Sequence, residues 1–314
     1  MPDDDLANLF ADESKRVKQL ERLLAQQAEA LEKARRPRAK LSPAKVTRSK
    51  SSDFVRVVVP DTHGSNIDTL AAKAFLADLT ALNPHEVVML GDHIDCGGFL
   101  AQHHTLGYVA ETATSFEDDV GAANTFLDAV QSACSAKLFF LEGNHERRIE
   151  KWCVTEALKN GNPANARYLA GIFSTESVLS LDKRGIEYFK QGRCYMGLRI
   201  PSTIKLGHCY FTHGTRTGVA AARQTLADFG GNVVFGHTHR IQSHQSQTVD
   251  RGQLAAWNIG CLCKLQPYWN HSQITGHGHG YGLQFCRENG EFLHVTVPIV
   301  DGKSYLVPLT RLVA

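Results

Sequence analysis

From residue 53 onward the chain alternates short apolar runs with stretches of helical spacing. The runs at 54–60, 86–90, 137–141, 209–212 and 232–235 are rich in Val and Phe and close on Gly or a polar residue, which predicts buried strands. Between them, 67–82, 116–133, 147–160 and 217–229 carry apolar residues at helical intervals. Such alternation predicts a layered α/β domain with functional groups gathered beyond the carboxyl ends of the strands. One folded sheet is enough to bring those ends to a common edge. Further runs at 254–264, 281–287, 292–298 and 304–309, with turns at Glu288-Asn289-Gly290 and Asp301-Gly302, predict a second, antiparallel layer. No internal repeat is visible.

The first fifty residues follow a different rule. Phe10, Val17, Leu24 and Leu31 recur every seven positions, and Leu6 and Leu20 fill two of the alternate core sites, while Glu13 and Gln27 occupy the others. This predicts an amphipathic helix over 5–35. A seam that is half polar is marginal alone, so the helix either pairs with a copy of itself, another partner or the catalytic domain, or stays solvated ahead of a flexible tether. The expected organisation is an N-terminal helix and basic linker over 1–50 and one catalytic domain over 51–314.

Charge sharpens that division. Residues 1–50 carry twelve Lys/Arg against eight Asp/Glu, a net of +4, whereas the remainder nets −2. Eight basic and no acidic residues fall within 33–50, where Pro37 and Pro43 interrupt helix. A nucleic acid is thus one partner that this segment suits, through salt-dependent attraction to phosphates.

At 314 residues and 43% hydrophobic content the chain can bury a substantial core. No run of about 18 apolar residues is present, and Met1 leads into Pro2-Asp3-Asp4-Asp5 rather than a signal pattern. A soluble, cytoplasmic protein with no membrane association is expected. The eight cysteines form no CxxC pair, and Cys261 and Cys263 read as packing residues outside any metal set.

The chemistry lies in five short segments, four of them directly after predicted strands: Asp61-Thr62-His63, Gly91-Asp92-His93-Ile94-Asp95, Gly143-Asn144-His145-Glu146, His213-Gly214 and Gly236-His237-Thr238-His239. Asp61 and His63, two apart, can turn into one site as the chain leaves its strand. Asp92 follows Gly91, which permits close backbone approach, and its two oxygens suit it to bridge two cations. Asp95 is placed to hydrogen-bond and orient a histidine. Asn144 offers a neutral oxygen ligand, while the adjacent His145 projects differently and is free for chemistry. His213, His237 and His239 add imidazole nitrogens.

In this order the segments resemble the calcineurin-like metallophosphoesterase superfamily, over 55–240 with further similarity at Asn258-Ile259-Gly260. The resemblance implies an α/β (α+β sandwich) fold of two packed mixed β-sheets flanked by helices. It also implies a dinuclear site, with Asp61, His63, Asp92 and His239 on one ion and Asp92, Asn144, His213 and His237 on the other. His145 would protonate or stabilise the leaving oxygen, oriented by Asp95. Two divalent ions are expected, manganese first, with iron, zinc, nickel or cobalt as alternatives. They would share a hydroxide that attacks a phosphate ester.

One departure bears on the substrate. Protein phosphatases of the superfamily resemble G-D-x-x-D-R-G, whereas this chain has Asp95-Cys96-Gly97 and so lacks that arginine. Arg147, Arg148, Arg216 and Arg240 lie near ligands in sequence and are candidates to replace it, though each taken singly reads first as a solvated helix or loop charge. The expected activity is therefore a phosphodiesterase acting on nucleic acid or nucleotide. The alternatives are a phosphomonoesterase acting on phosphoprotein or nucleotide, and a non-catalytic scaffold. The Gly-rich run from His271 through His277 and His279 is expected to be a flexible loop, read first as a hairpin connection and second as a cover over the site that touches substrate.

Overall fold

A computed structural model of the chain describes residues 53–96, 115–159, 161–162, 164–192, 194–195, 198–266 and 274–306, together with the isolated positions 18, 22, 25 and 26. Apart from those four positions the expected heptad helix lies outside the described residues, as do the basic linker and the ends of two predicted elements.

Strand β1 (Phe54–Val59) organises the molecule because Val57, Val58 and Val59 are all fully buried, with successive side chains entering different layers. It pairs in parallel with β2 (Glu86–Met89), which pairs with β3 (Lys137–Leu141) and then β4 (Glu187–Phe189). On its other edge β1 pairs antiparallel with β12 (His279–Cys286), followed by β13 (Phe292–Val300) and β14 (Lys303–Ser304). The second sheet runs β10 (Ile241–Thr248), β11 (Gly252–Ile259), β9 (Asn232–Phe235), β8 (Cys209–Thr212) and β7 (Thr203–Leu206). A short ribbon of β5 (Cys194–Tyr195) and β6 (Leu198–Arg199) completes the strands described.

The two mixed sheets face each other. Val58, Val88, Leu90, Phe139 and Leu141 of the first pack on Cys209, Phe211, Val234 and Ile259 of the second. On the first sheet's other face, Val57, Val87, Met89 and Phe140 meet α1 (Thr69–Leu82) and α2 (Phe116–Ala133) through Phe75, Leu79, Val120 and Leu127. Helix α6 (Ala221–Phe229) covers the second sheet with Ala221, Ala222 and Leu226. The remaining helices are α3 (Glu146–Lys159), α4 (Asn165–Phe173) and α5 (Thr175–Val178). The result is an α/β sandwich of two mixed sheets with flanking helices. Among the described residues no helix is long and apolar enough to cross a membrane.

Three expectations need correction. The five ligand segments leave two sheets, not one: β1, β2 and β3 belong to the first, β8 and β9 to the second. The C-terminal strands do not form a separate layer either, because β11 joins β9 in parallel while β12 to β14 extend the first sheet from β1. The chain changes sheets at Gly260, whose φ of +86 suits glycine, and the bridge between Asp61 and Cys261 marks the crossing. Finally, α6 starts at Ala221 rather than 217, since Gly218 at φ +83 interrupts helical geometry. Strand β10 escaped prediction because it is an edge strand of largely exposed polar residues with no apolar period.

Helix α1 fixes where the first ligand loop ends. Its N-cap Asp68 accepts hydrogen bonds from Leu70 N (3.0 Å) and Ala71 N (2.9 Å). Asp68→Ala is expected to cost about 1 kcal/mol, read as a lowered thermal midpoint with secondary structure intact; an unchanged midpoint would contradict the cap.

Candidate metal centre

Strands β1, β2 and β3 of the first sheet and β8 and β9 of the second end at one rim, and each delivers its ligand segment there. The backbone at this rim is strained: His63, Asp92, Cys96, His237 and His239 all have φ between 52 and 71, the left-handed region that costs a non-glycine residue roughly 1 kcal/mol or more. Outside contacts hold them there. Asp92 O accepts from Thr62 N (3.1 Å) and His63 N (2.9 Å). Asp61 Oδ1 and Oδ2 accept from His237 N at 3.2 and 3.1 Å. Asn258 Nδ2 donates to Gly236 O and to Thr238 Oγ1, each at 2.8 Å.

Glu146 is the strongest of these ties. Fully buried at the start of α3, its Oε2 accepts from Asp92 N (2.8 Å) and Gly143 N (2.9 Å), and its Oε1 from His93 N (2.6 Å) and Ile94 N (3.2 Å). One carboxylate thereby fastens the loop after β2 to the loop after β3. Burial first, then the neighbouring Asp92 carboxylate, pushes its pKa up to about 7. Asp119 of α2 plays a parallel part, accepting from Ser65 N (3.0 Å) and Cys96 N (2.8 Å). Gly91 and Gly143 let the two loops touch backbone to backbone; a Cβ on Gly91 would stand 2.8 Å from Gly143 Cα, and one on Gly143 would collide with Asp92.

Within this frame the side chains form two clusters. His63 Nε2 lies 3.0 Å from His239 Nε2, 3.9 Å from Asp61 Oδ2 and 4.0 Å from Asp92 Oδ2, with His239 Nε2 3.1 Å from Asp61 Oδ2. In the second cluster His213 Nε2 lies 2.9 Å from Asn144 Oδ1, 3.2 Å from His237 Nδ1 and 3.2 Å from Asp92 Oδ2. Asp92 Oδ2 belongs to both. All seven residues expected as ligands are brought together, and His145 joins them with Nε2 3.8 Å from Asp92 Oδ2.

The donor set fits divalent cations. Two donors bound at roughly 2.0–2.1 Å in a tetrahedral shell lie about 3.3 Å apart; the separations of the first cluster fall on either side of that value and those of the second lie just below it. Two unprotonated imidazole nitrogens facing each other at 3.0 Å repel unless a positive charge stands between them. The titration behaviour expresses the same demand. Burial alone would raise the Asp61 and Asp92 carboxyls, yet His213 foremost among the neighbouring histidines holds both below the usual range. Burial likewise opposes protonation of His213 and His239, but Asp92 and Asp61 raise His213 to about 10 and Asp61 raises His239 to about 9. His237, with burial and His213 both acting against it, falls to about 4.

Asp95 serves two histidines by different atoms. Its Oδ1 accepts from His63 Nδ1 at 2.9 Å, while His145 Nδ1 donates at 2.7 Å to its backbone carbonyl and lies 3.3 Å from Oδ1. Orientation of His145 is therefore mainly a backbone matter. Against the penalty of burial, Asp92 and Asp95 raise the His145 pKa above the ordinary value.

The chain belongs to the calcineurin-like phosphoesterase family. The family profile matches residues 55–241. Over 265 residues the chain is 29% identical to the Gene 54 protein of Mycobacterium phage D29, covering 79% of this chain and 94% of that one. The Gene 54 protein of Mycobacterium phage L5 is 26% identical over 261 residues, with the same coverages. Among solved structures, a single-mutant Vps29 from Entamoeba histolytica aligns with TM-score 0.40 and 12% identity, over 80% of this chain and 95% of that one. YfcE, a phosphoesterase from E. coli, aligns with TM-score 0.29 and 15% identity, over 77% and 98%.

Several working residues gave no sequence signal of their own. Glu146 was legible only as the last letter of its motif, and Asp119 only as one of three acids in the first turn of α2. Cys263, read as packing, has its sulfur 3.8 Å from His239 Nδ1. His277, read as part of a flexible connection, packs its ring 4.9 Å from that of His239 and donates to Leu265 O, while His279 donates to Cys263 O and opens β12. His271 lies outside the described residues. A groove of about 940 Å³ lined by Phe54, Trp257, Phe285, Phe292 and His294 opens where β1 and β9 begin and includes no residue of the two clusters.

Glu146→Gln replaces one acceptor by a donor that must face two backbone N–H groups. The expected loss is about 2–6 kcal/mol at one to three per orphaned donor, measured by urea denaturation, with metal content falling in parallel. Wild-type stability and metal content in that variant would contradict the tie.

Proposed function

We propose that this chain is a dimetal-dependent hydrolase of phosphate esters, with phosphodiesters as its preferred substrates. The carrying observation is the pair of donor clusters that share Asp92 Oδ2, with His145 facing the same oxygen. Asp61, His63, Asp92 and His239 would hold one divalent ion and Asp92, Asn144, His213 and His237 the other. Bound there, such ions acidify water and polarise a phosphoryl oxygen.

The protein's own groups supply the remainder. Asp92, placed between the clusters, fixes the separation of the two positions. His145, with Nδ1–H committed to the Asp95 carbonyl, presents Nε2 to the site and is the group to donate a proton to the departing ester oxygen. The left-handed loops, tied by Glu146, Asp61 and Asn258, keep these side chains in position so that little reorganisation accompanies reaction.

Diester preference rests on Cys96. It is fully buried with its N–H on Asp119, so the position at which protein phosphatases carry an arginine supplies no cation from its own side chain. Arg216 is bound twice by Asp228 and Arg147 by Gln191, all at the surface. A monoesterase is the second reading, favoured by Arg148: its Nη1 donates to the Asp95 carbonyl at 3.0 Å, next to His145, where a guanidinium could meet a dianion. We assign residues 51–314 to the catalytic domain and 1–50 to the N-terminal amphipathic helix and basic linker, whose basic part, 33–50, attracts nucleic acid. Manganese is the ion of first choice for reconstitution.

Manganese-loaded protein is expected to cleave bis-p-nitrophenyl phosphate faster than p-nitrophenyl phosphate by about tenfold or more, a barrier difference of ~1.4 kcal/mol. The reverse order selects the monoesterase. His145→Ala should lower kcat by about 10²- to 10⁴-fold while both ions remain bound; full activity in that variant would overturn the role given to His145, and a loaded wild type inactive on every ester would leave only a scaffold. Replacing the basic residues of 33–50 by Ser or Gln in the full chain should weaken DNA binding and flatten its salt dependence without slowing the small diester. Unchanged DNA affinity would remove nucleic acid as the partner.

A further inference from the structure

Three of the site's histidines have the ring nitrogen that faces away from the ligand clusters held by oxygen. His63 Nδ1 donates to Asp95 Oδ1 (2.9 Å), His145 Nδ1 to the Asp95 carbonyl (2.7 Å) and His213 Nδ1 to the Leu90 carbonyl (3.1 Å). Metal-binding histidines ordinarily have such an oxygen partner, which fixes the tautomer and the ring plane. His239 departs from the pattern. Its Nδ1 faces the sulfur of Cys263 at 3.8 Å.

We infer that Cys263 is the positioning residue of His239, its sulfur accepting the Nδ1–H hydrogen bond that an oxygen accepts at His63, His145 and His213. The inference rests on the dimetal reading above, because it takes His239 Nε2 as a ligand atom. With Nε2 turned to a cation, the ring's proton has to sit on Nδ1, and Cys263 Sγ is its neighbour there. The sulfur is built into place: Cys263 is 3% exposed, bridges to Ile67, and accepts at its carbonyl from His279 Nε2 at 2.9 Å. His239 needs such a partner more than most, since its backbone sits at φ +56 and its other ring contacts are Asp61, His63 and the edge of His277.

The consequence is an asymmetry between the two metal positions. Sulfur is a weaker and longer acceptor than a carboxylate or carbonyl oxygen, so the position of Asp61, His63 and His239 should hold its ion less tightly than that of Asn144, His213 and His237. His63, His239 and Cys263 also offer ligand atoms that all lie within 4.8 Å of one another. Direct sulfur ligation is thus the rival arrangement that the test must separate from positioning.

The test is metal affinity, measured by chelator competition on full-length protein with manganese and with cobalt, together with the absorption spectrum of the cobalt form. Cys263→Ala should weaken one of the two bound ions by about 10- to 100-fold and leave the other unchanged. Cys263→Ser, which restores a small acceptor, should recover most of the loss, and Cys261→Ser should bind as wild type. The cobalt-loaded wild type should show no thiolate-to-cobalt charge-transfer band. The inference is overturned if Cys263→Ala binds both ions normally, if Ala and Ser lose equally, or if the charge-transfer band is present and vanishes in Cys263→Ser. If the Ala variant does not fold, the Ser variant and the spectrum decide. A folded wild type that binds neither ion defeats the dimetal reading itself, an outcome distinct from each of these.

Discussion

Four backbone N–H groups from two different loops end on the carboxylate of Glu146, and the rest of the centre depends on that junction. The loops follow neighbouring parallel strands and carry Asp92, Asn144 and His145. Without a common acceptor, four buried donors would be left unpaired in a region whose φ angles already cost energy. The two glycines at the junction, Gly91 and Gly143, are as necessary as the carboxylate, because any Cβ there would force the loops apart. Asp92 is thereby set between two clusters, each of which draws its residues from both sheets.

This frame concentrates charge. Asp61, Asp92 and Asp95 are all nearly inaccessible to water, and buried carboxylates of one sign are costly unless positive charge compensates them. Histidines facing those acids, His213 and His239 above all, have their pKa values raised accordingly. Divalent cations supply the same compensation with more charge and in the geometry that the nitrogens and oxygens already outline. The strain, the buried acids and the facing imidazoles thus fit one arrangement: a site whose hydrogen-bonded frame holds donors where cations can be taken up.

Much of this was legible in the sequence. Strands at 137–141, 209–212 and 232–235 and the helix at 116–133 fall where the apolar periodicity puts them, because each is buried against a neighbour that imposes that period. The residues of the two clusters were legible as well, since each follows a strand and carries a metal-seeking group. Which sheet a strand joins was not, because Val-rich runs buried on both faces look alike in either sheet. Strand β10 was hidden by its exposed edge. Glu146, Asp119 and Cys263 were hidden for a related reason: their work is to accept hydrogen bonds from backbone and ring donors that come from distant parts of the chain, and a donor's position leaves no mark on the acceptor's residue type.

The central claim is that Asp92 lies between two cation positions. Anomalous diffraction at the manganese edge, from crystals of the folded chain loaded with that ion, tests it most directly. Two peaks are predicted, one among Asp61, His63 and His239 and one among Asn144, His213 and His237, both adjoining Asp92. Peaks elsewhere, or none with the ion in excess, would contradict the account.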